Sequence, residues 1–158
     1  MTDQTPEDSL WRFALAVYGQ PGVEAVCLDL QERLGADVPL LLFVLWAGAA
    51  CGVRLPDAAP DATMERLSAE ADAWRNAVVA PLRGVRRHLK GVAGAEAFRQ
   101  TVKDAELEAE RLGLARLCRA SGLRPAASDR AAAEANVRRL IGEDGAVALL
   151  LAAVNETL

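Results

Sequence analysis

The sequence predicts an all-α fold, a compact single-domain bundle of six to seven helices around a central apolar helix at about 38–51. Three observations predict it. Alanine, the best intrinsic helix former, is abundant throughout. Val, Ile, Thr and Tyr are too sparse to build several strands, and no stretch alternates with period two. Apolar residues instead recur at helical spacing between Gly and Pro breaks. With 158 residues and a hydrophobic fraction of 52%, the chain can bury one core. The domain is expected over 8–158, after a flexible polar N-terminus at 1–7.

The elements follow in order. Asp8 or Ser9 is the expected cap of a first helix running to Tyr18, with Leu10, Phe13, Ala14 and Val17 on one stripe. Gly19-Gln20-Pro21-Gly22 is a turn. A second helix reaches Leu34, with Val23, Val26, Cys27 and Leu30 inward, and Gly35 ends it. Asp37-Val38-Pro39 opens the third, where proline is tolerated in the first turn. Residues Leu40 to Trp46 are apolar all round, so other helices must surround them. The stretch from Gly52 to Asp61, with Pro56 and Pro60, reads as a loop. A fourth helix starts at Asp61 or Thr63, with Met64, Leu67, Ala71 and Trp74 on one stripe. Pro81 interrupts it, and the helical pattern resumes to Lys90, which predicts a kinked helix or two in series. After the short connection Gly91 to Gly94, a fifth helix spans about 95–120, with a seam of Phe98, Val102, Ala105, Ala109 and Leu112. Ser128 caps a sixth helix to Ile141, and a last apolar helix covers Ala146 to Val154.

Composition excludes several function classes. A net charge of −4 disfavours generic nucleic-acid binding. Cys27, Cys51 and Cys118 are odd in number and far apart, which suits buried free thiols in a reducing compartment. Met1 to Glu7 lacks the layout of a signal peptide. The longest uncharged run, Val38 to Val53, falls short of the roughly 20 residues that span a bilayer, so no membrane insertion is expected. His88 is the only histidine, which rules out paired-histidine metal sites. No Gly-rich phosphate loop is present. No catalytic residue, metal or cofactor is expected. Asp104, Glu106, Glu108 and Glu110 form an acidic run whose i,i+4 pairs could share a metal, although a solvated helix face is favoured.

The basic segment is the best-defined feature. On a helix at about 100° per residue, Arg83, Arg86, Arg87 and Lys90 share one arc, with Val78, Leu82, Val85, Leu89 and Val92 opposite. The apolar side is expected to pack on the core and the basic side to face outward. Three uses compete: internal salt bridges to the acidic run of the next helix, docking of an acidic partner protein or small anion, and binding of nucleic acid or anionic lipid. No aromatic sits among these cations to stack a base, which disfavours the third. Trp11, Trp46 and Trp74 are expected to anchor packing.

Three stretches together carry a resemblance. They are Leu10-Trp11-Arg12-Phe13-Ala14-Leu15 with Val17-Tyr18, Asp37 to Phe43 with Trp46, and Trp74 to Arg83 with Arg86-Arg87 and Leu89-Lys90. Over most of residues 9–120 the chain resembles the DUF2390 family of proteobacterial proteins, departing at Pro39, where relatives are expected to carry asparagine. The resemblance implies a helical protein of the bacterial cytoplasm and carries no activity with it.

The leading expectation is a non-catalytic protein that binds an acidic partner protein or small anion through Arg83, Arg86, Arg87 and Lys90, because arginine forks match carboxylate and phosphate. The alternative is a ligand-binding protein or enzyme with a pocket between the first, third and fourth helices. Trp11, Tyr18, Trp46 and Trp74 would line it, and Arg12, Arg75 or Asp37 would supply polar contacts. A third reading is a structural homo-oligomer, such as a homodimer, through the last helix, where consecutive Leu149, Leu150 and Leu151 cannot all point inward.

Overall fold

The structure is a computed structural model that describes residues 4–55 and 60–158, with the side chains of 60–63 left aside. Among the described residues it holds helices and turns and no strand. The helices are α1 (Pro6–Tyr18), α2 (Val23–Leu34), α3 (Val38–Ala49), α4 (Pro60–Trp74), a π-helix (Arg75–Val79), α5 (Ala80–His88), α6 (Glu96–Ser121), α7 (Arg130–Ile141) and α8 (Ala146–Thr157). Because α4, the π-helix and α5 run on without a break, these segments make seven rods. None is long and apolar enough to cross a membrane.

Local chemistry sets the ends. The cap of α1 is Thr5 rather than Asp8 or Ser9, and its hydroxyl accepts from the Asp8 N–H at 3.1 Å. Pro6 can then open the helix, since its missing N–H would have no partner there. Pro6 and Glu7 are therefore helical, although they fall in the stretch expected to be a polar tail; residues 1–3 of that stretch lie outside the described residues. Asp37 caps α3 as expected, accepting from the Leu40 N–H at 2.9 Å. Of the loop expected over Gly52 to Asp61, residues 56–59 lie outside the described residues and α4 already begins at Pro60. Asp129, not Ser128, caps α7, because its carboxylate accepts from the Ala132 N–H at 3.0 Å. The final helix extends past Val154 to Thr157.

The core forms around α3, which is buried from Leu40 to Ala49 as its uniform apolarity demands. Its main contact is α7. The two backbones touch at Gly48: a Cβ there would lie 2.1 Å from the Ala133 nitrogen. Asn136 of α7 is fully buried, donates to the Val44 and Val53 carbonyls, and accepts from the Leu55 N–H at 2.8 Å. This one amide ties the middle of α3 to the chain that follows it, pairing backbone groups of Val53 and Leu55. Cys27, Cys51 and Cys118 are buried free thiols.

The π-helix changes which face of the following helix turns inward. The ring of Pro81 would collide with the carbonyl four residues back in a regular α-helix, and a wider turn before it relieves the crowding. The Ala80 N–H accordingly donates to the Arg75 carbonyl, five residues back. One residue is thereby inserted into the helical repeat. The inward stripe of α4 continues from Trp74 to Val79, Arg83 and Arg86 rather than to Val78, Leu82 and Val85. Val79 is buried, Arg83 and Arg86 are half-buried, and Val85 is 44% exposed. The expectation that the apolar side of this segment packs on the core is thus not met: α5 contains no buried residue, Val85 and Val92 are exposed, Val78, Leu82 and Leu89 are only half-buried like Arg83 and Arg86, and the arginine side faces α6.

The seam predicted for α6 also shifts. Val102 and Ala109 are buried, but Phe98, Ala105 and Leu112 are exposed. The buried side instead reads Val102, Glu106, Ala109, Leu114, Leu117 and Cys118. A glutamate occupies one position of that stripe because two arginines of α5 reach it.

Candidate functional site

A cavity of about 600 Å3 opens between α1, the α2–α3 junction, the α4–π segment, α5 and α6. One side is apolar and aromatic, built from Trp11 and Tyr18 of α1, Leu42 of α3 and Trp74 at the end of α4. The lining also carries Arg75, Arg83, Arg86 and Arg87 with Glu106 and Glu110. Leu15, Leu28 and Leu107, each 50% exposed, also belong to its lining and give it an apolar rim. Trp11 and Tyr18 line the cavity and carry no hydrogen bond among the described residues.

Trp74 is held from three directions. Its indole N–H donates to the Ala109 carbonyl at 2.7 Å, and the Arg116 guanidinium lies 4.8 Å above the ring centroid. Gly113 lets the ring lie against the α6 backbone, since a Cβ there would be 2.9 Å from the indole Cδ1. The ring is a fixed wall of the cavity.

The charged side is an ion-pair ladder between α5 and α6. The Arg83 Nε donates to Glu106 Oε1 at 2.9 Å, and Arg86 Nε donates to Glu106 Oε2 in a short contact. Arg83 also reaches Glu110 Oε1 through Nη2, at a looser 3.3 Å. The two carboxylates respond differently. Burial pushes the Glu106 carboxyl up, but Arg86 and Arg83 outweigh it and hold it below its ordinary value. At Glu110 burial prevails over Arg83, and the carboxyl lies above its ordinary value. Burial likewise pushes the Tyr18 phenol up, with Glu24 adding to the effect.

A second ion pair closes the other end. Asp37, whose Oδ1 caps α3, uses Oδ2 to accept from Arg75 in a short contact. Arg75 also bonds Asp72 at 2.7 Å. One carboxylate thus ties the start of α3 to the π-helix.

The residues singled out by sequence divide into three groups. Trp11, Tyr18, Trp74, Arg75, Arg83, Arg86 and Arg87 come together around the cavity, with Asp37 beside them. Trp46 does not: it is fully buried in the core, with its indole N–H donating to the Ser9 hydroxyl at 3.2 Å. Arg12 and Lys90 are exposed and lie outside the lining. Sequence reasoning did not name Glu106 and Glu110 as site residues and favoured a solvated face over a metal role for them, but the internal salt bridges it weighed between the basic segment and the acidic run are present for Arg83 and Arg86. Their i,i+4 spacing opposite a basic helix was the available signal. Leu28 and Leu107 gave no signal. Among the described residues no group of three His, Cys, Asp or Glu is placed to hold a metal ion. The thiols take no part: burial pushes Cys27 and Cys118 up to about 11 and Cys51 to about 12.

The family described as Protein of unknown function (DUF2390) matches residues 9–117. The chain belongs to this family. No curated protein and no solved structure matches it. Every residue that lines the cavity, from Trp11 to Leu117, falls inside the DUF2390 span, whereas α7 and α8 lie beyond it.

Proposed function

We propose that the chain is a non-catalytic binding protein for a small amphipathic organic anion, held in the cavity between the aromatic side chains and the arginines of α5. The observation that carries this reading is the cavity itself. Its volume of about 600 Å3 suits a small organic molecule, and its lining combines a fixed indole and an apolar rim with four arginines. Supporting the reading, Arg83, Arg86 and Arg87 of the basic helix line the same cavity as Trp11, Tyr18, Trp74 and Arg75, while Lys90, Arg12 and Trp46 do not. Arginine forks favour a carboxylate or phosphate head, and a site of low polarity strengthens that contact.

The test is a ligand screen on the intact protein, read by tryptophan fluorescence and thermal midpoint. Hydrophobic carboxylates, alkyl phosphates and neutral alcohols of matched length are the probes. Anionic amphiphiles should quench fluorescence and raise the midpoint, and Trp74→Ala should weaken both effects. A folded protein indifferent to every probe would defeat the reading.

A second reading is favoured by Arg87 and Lys90. Both are exposed, and neither makes an ion pair among the described residues, so they remain open to an acidic partner protein. Changing both to Glu should remove such a partner, and an unchanged partner list would count against it. For a homodimer through α8, Leu149, 36% exposed, is the available residue, and light scattering tests it. We place the protein in the bacterial cytoplasm, where three unpaired thiols stay reduced.

A further inference from the structure

Arg83 is shared by two carboxylates that hold it unequally. Glu106 is bound by Arg83 at 2.9 Å and by Arg86 as well, and its side chain is 9% exposed. Glu110 has one contact, at 3.3 Å, and its side chain is 33% exposed. The groups acting on Glu110 come from every helix around it: Arg83 and Arg86 from α5, Glu106 one turn earlier on α6, and Tyr18 from α1. Within the ladder, Arg83 and Arg86 face Glu106 and Glu110, so its charges balance; Arg87 lines the cavity as well but is exposed. A third carboxylate arriving at Arg83 would be in surplus unless one already there gives up its charge. Glu110 is the one placed to do so, because it is the loosely held partner and burial already disfavours its ionised form.

We propose that the cavity takes a hydrophobic monocarboxylate, that its carboxylate replaces Glu110 on Arg83, and that Glu110 accepts one proton from solvent as the ligand enters. The inference rests on the pocket reading above and deepens it. No bond is made or broken other than the O–H on Glu110. The space vacated on Arg83 is that of one carboxylate, and Glu106 stays fixed beside it, which repels a dianionic phosphate. Arg87 is the competing anchor, but it is exposed, and an exposed ion pair contributes little. Arg83, 24% exposed, is screened far less. The alkyl or aryl body lies along Trp11, Trp74 and the leucine rim.

Octanoate is the probe, with octanol and octyl phosphate beside it. Isothermal titration at pH 8 in buffers of different ionisation enthalpy counts the protons taken up per ligand bound. Wild-type protein should take up protons, at most one, with octanoate, and Glu110→Gln, which keeps the shape without the charge, should take up none. Octanoate affinity should fall as pH rises from about 6 to 8, toward about tenfold per unit, and should be flat in Glu110→Gln. Arg83→Met should lose octanoate binding while Arg87→Ala keeps most of it. Octanoate binding without proton uptake, or octanol binding as tightly as octanoate, overturns this inference and leaves the pocket reading standing. If none of the three amphiphiles binds to folded protein, both fall together. Circular dichroism on each variant confirms the fold, and Glu110→Gln alone decides the proton count should Arg83→Met not fold.

Discussion

The contact of α3 with α7 and that of α5 with α6 join neighbouring helices by opposite means. At α3–α7 the backbones meet at a glycine, every neighbouring side chain is apolar or satisfied, and a fully buried asparagine pins the chain that follows. At α5–α6 no residue of α5 is buried, and arginines reach across to glutamates. Close packing allows one arrangement and is costly to change. Ion pairs between half-exposed side chains can exchange partners at small cost. The first contact is therefore scaffold, and under the proposed function the second is the wall that takes the ligand's charge. Both lie in one chain because the π-helix rotates α5 by one residue and turns arginines, not valines, toward the cavity.

Gly48→Ala should have the largest effect. The new methyl would lie 2.1 Å from one backbone atom of α7 and 2.4 Å from the next, and backbone cannot swing aside as a side chain can. We expect a loss of about 4 kcal/mol or more, or no folded protein, measured by urea unfolding. Stability within about 1 kcal/mol of wild type would mean that the two helices are not in backbone contact, and the scaffold half of the comparison would collapse.

Glu106→Gln comes next. It removes the charge that holds both Arg83 and Arg86, leaving Arg83 its looser contact with Glu110 and Arg86 without an ion-pair partner among the described residues. Breaking one side of a buried pair costs roughly 3–5 kcal/mol, and the arginines' 24% exposure discounts this to about 2 kcal/mol. The pH dependence gives an independent check. The Glu106 carboxyl is lowered in the folded state, so its stabilising contribution is present above its ordinary value of 4.5 and is lost as pH falls through the lowered folded value. Glu110 has the opposite sign. Its folded value is raised, so its ionised form is a burden at neutral and alkaline pH that acidification relieves. Glu106→Gln should therefore flatten the acid side of the stability curve, and Glu110→Gln should leave the protein at least as stable at pH 8. Equal destabilisation by both changes would show that the two carboxylates are held alike.

Much of this fold is legible in the sequence. The uniformly apolar run Leu40 to Trp46 can only be a surrounded helix, and the Asp37-Val38-Pro39 start and the Gly35 stop carry their own geometry. The site is legible in its parts and not in its assembly. Trp11, Trp74, Arg75 and Arg83 stand out one by one, but a helical wheel drawn at a constant repeat through Pro81 puts the valines inward. A one-residue insertion moves every later side chain by about 100° around the axis. Proline announces a disturbance without saying whether the helix kinks, stops or widens. Trp46 misleads for a related reason: on a helix buried all round, no periodic pattern says which side meets a cavity.

That rotation supplies the smallest and most discriminating prediction. On a constant helical repeat, Val85 continues the stripe of Met64, Leu67, Ala71 and Trp74, and an aspartate there would be buried without a partner at a cost of several kcal/mol. With the π-helix in place Val85 is 44% exposed on the outer side of α5. Val85→Asp should then cost no more than about 0.5 kcal/mol by urea unfolding, as for other exposed positions. The buried Val79, changed to Asp in parallel, should be the severe one, since it takes the inward place that the regular repeat gives to Val78. If Val85→Asp proves severe and Val79→Asp mild, the extra residue is not in the helix, the arginines of α5 face solvent, and the charged wall of the cavity does not exist.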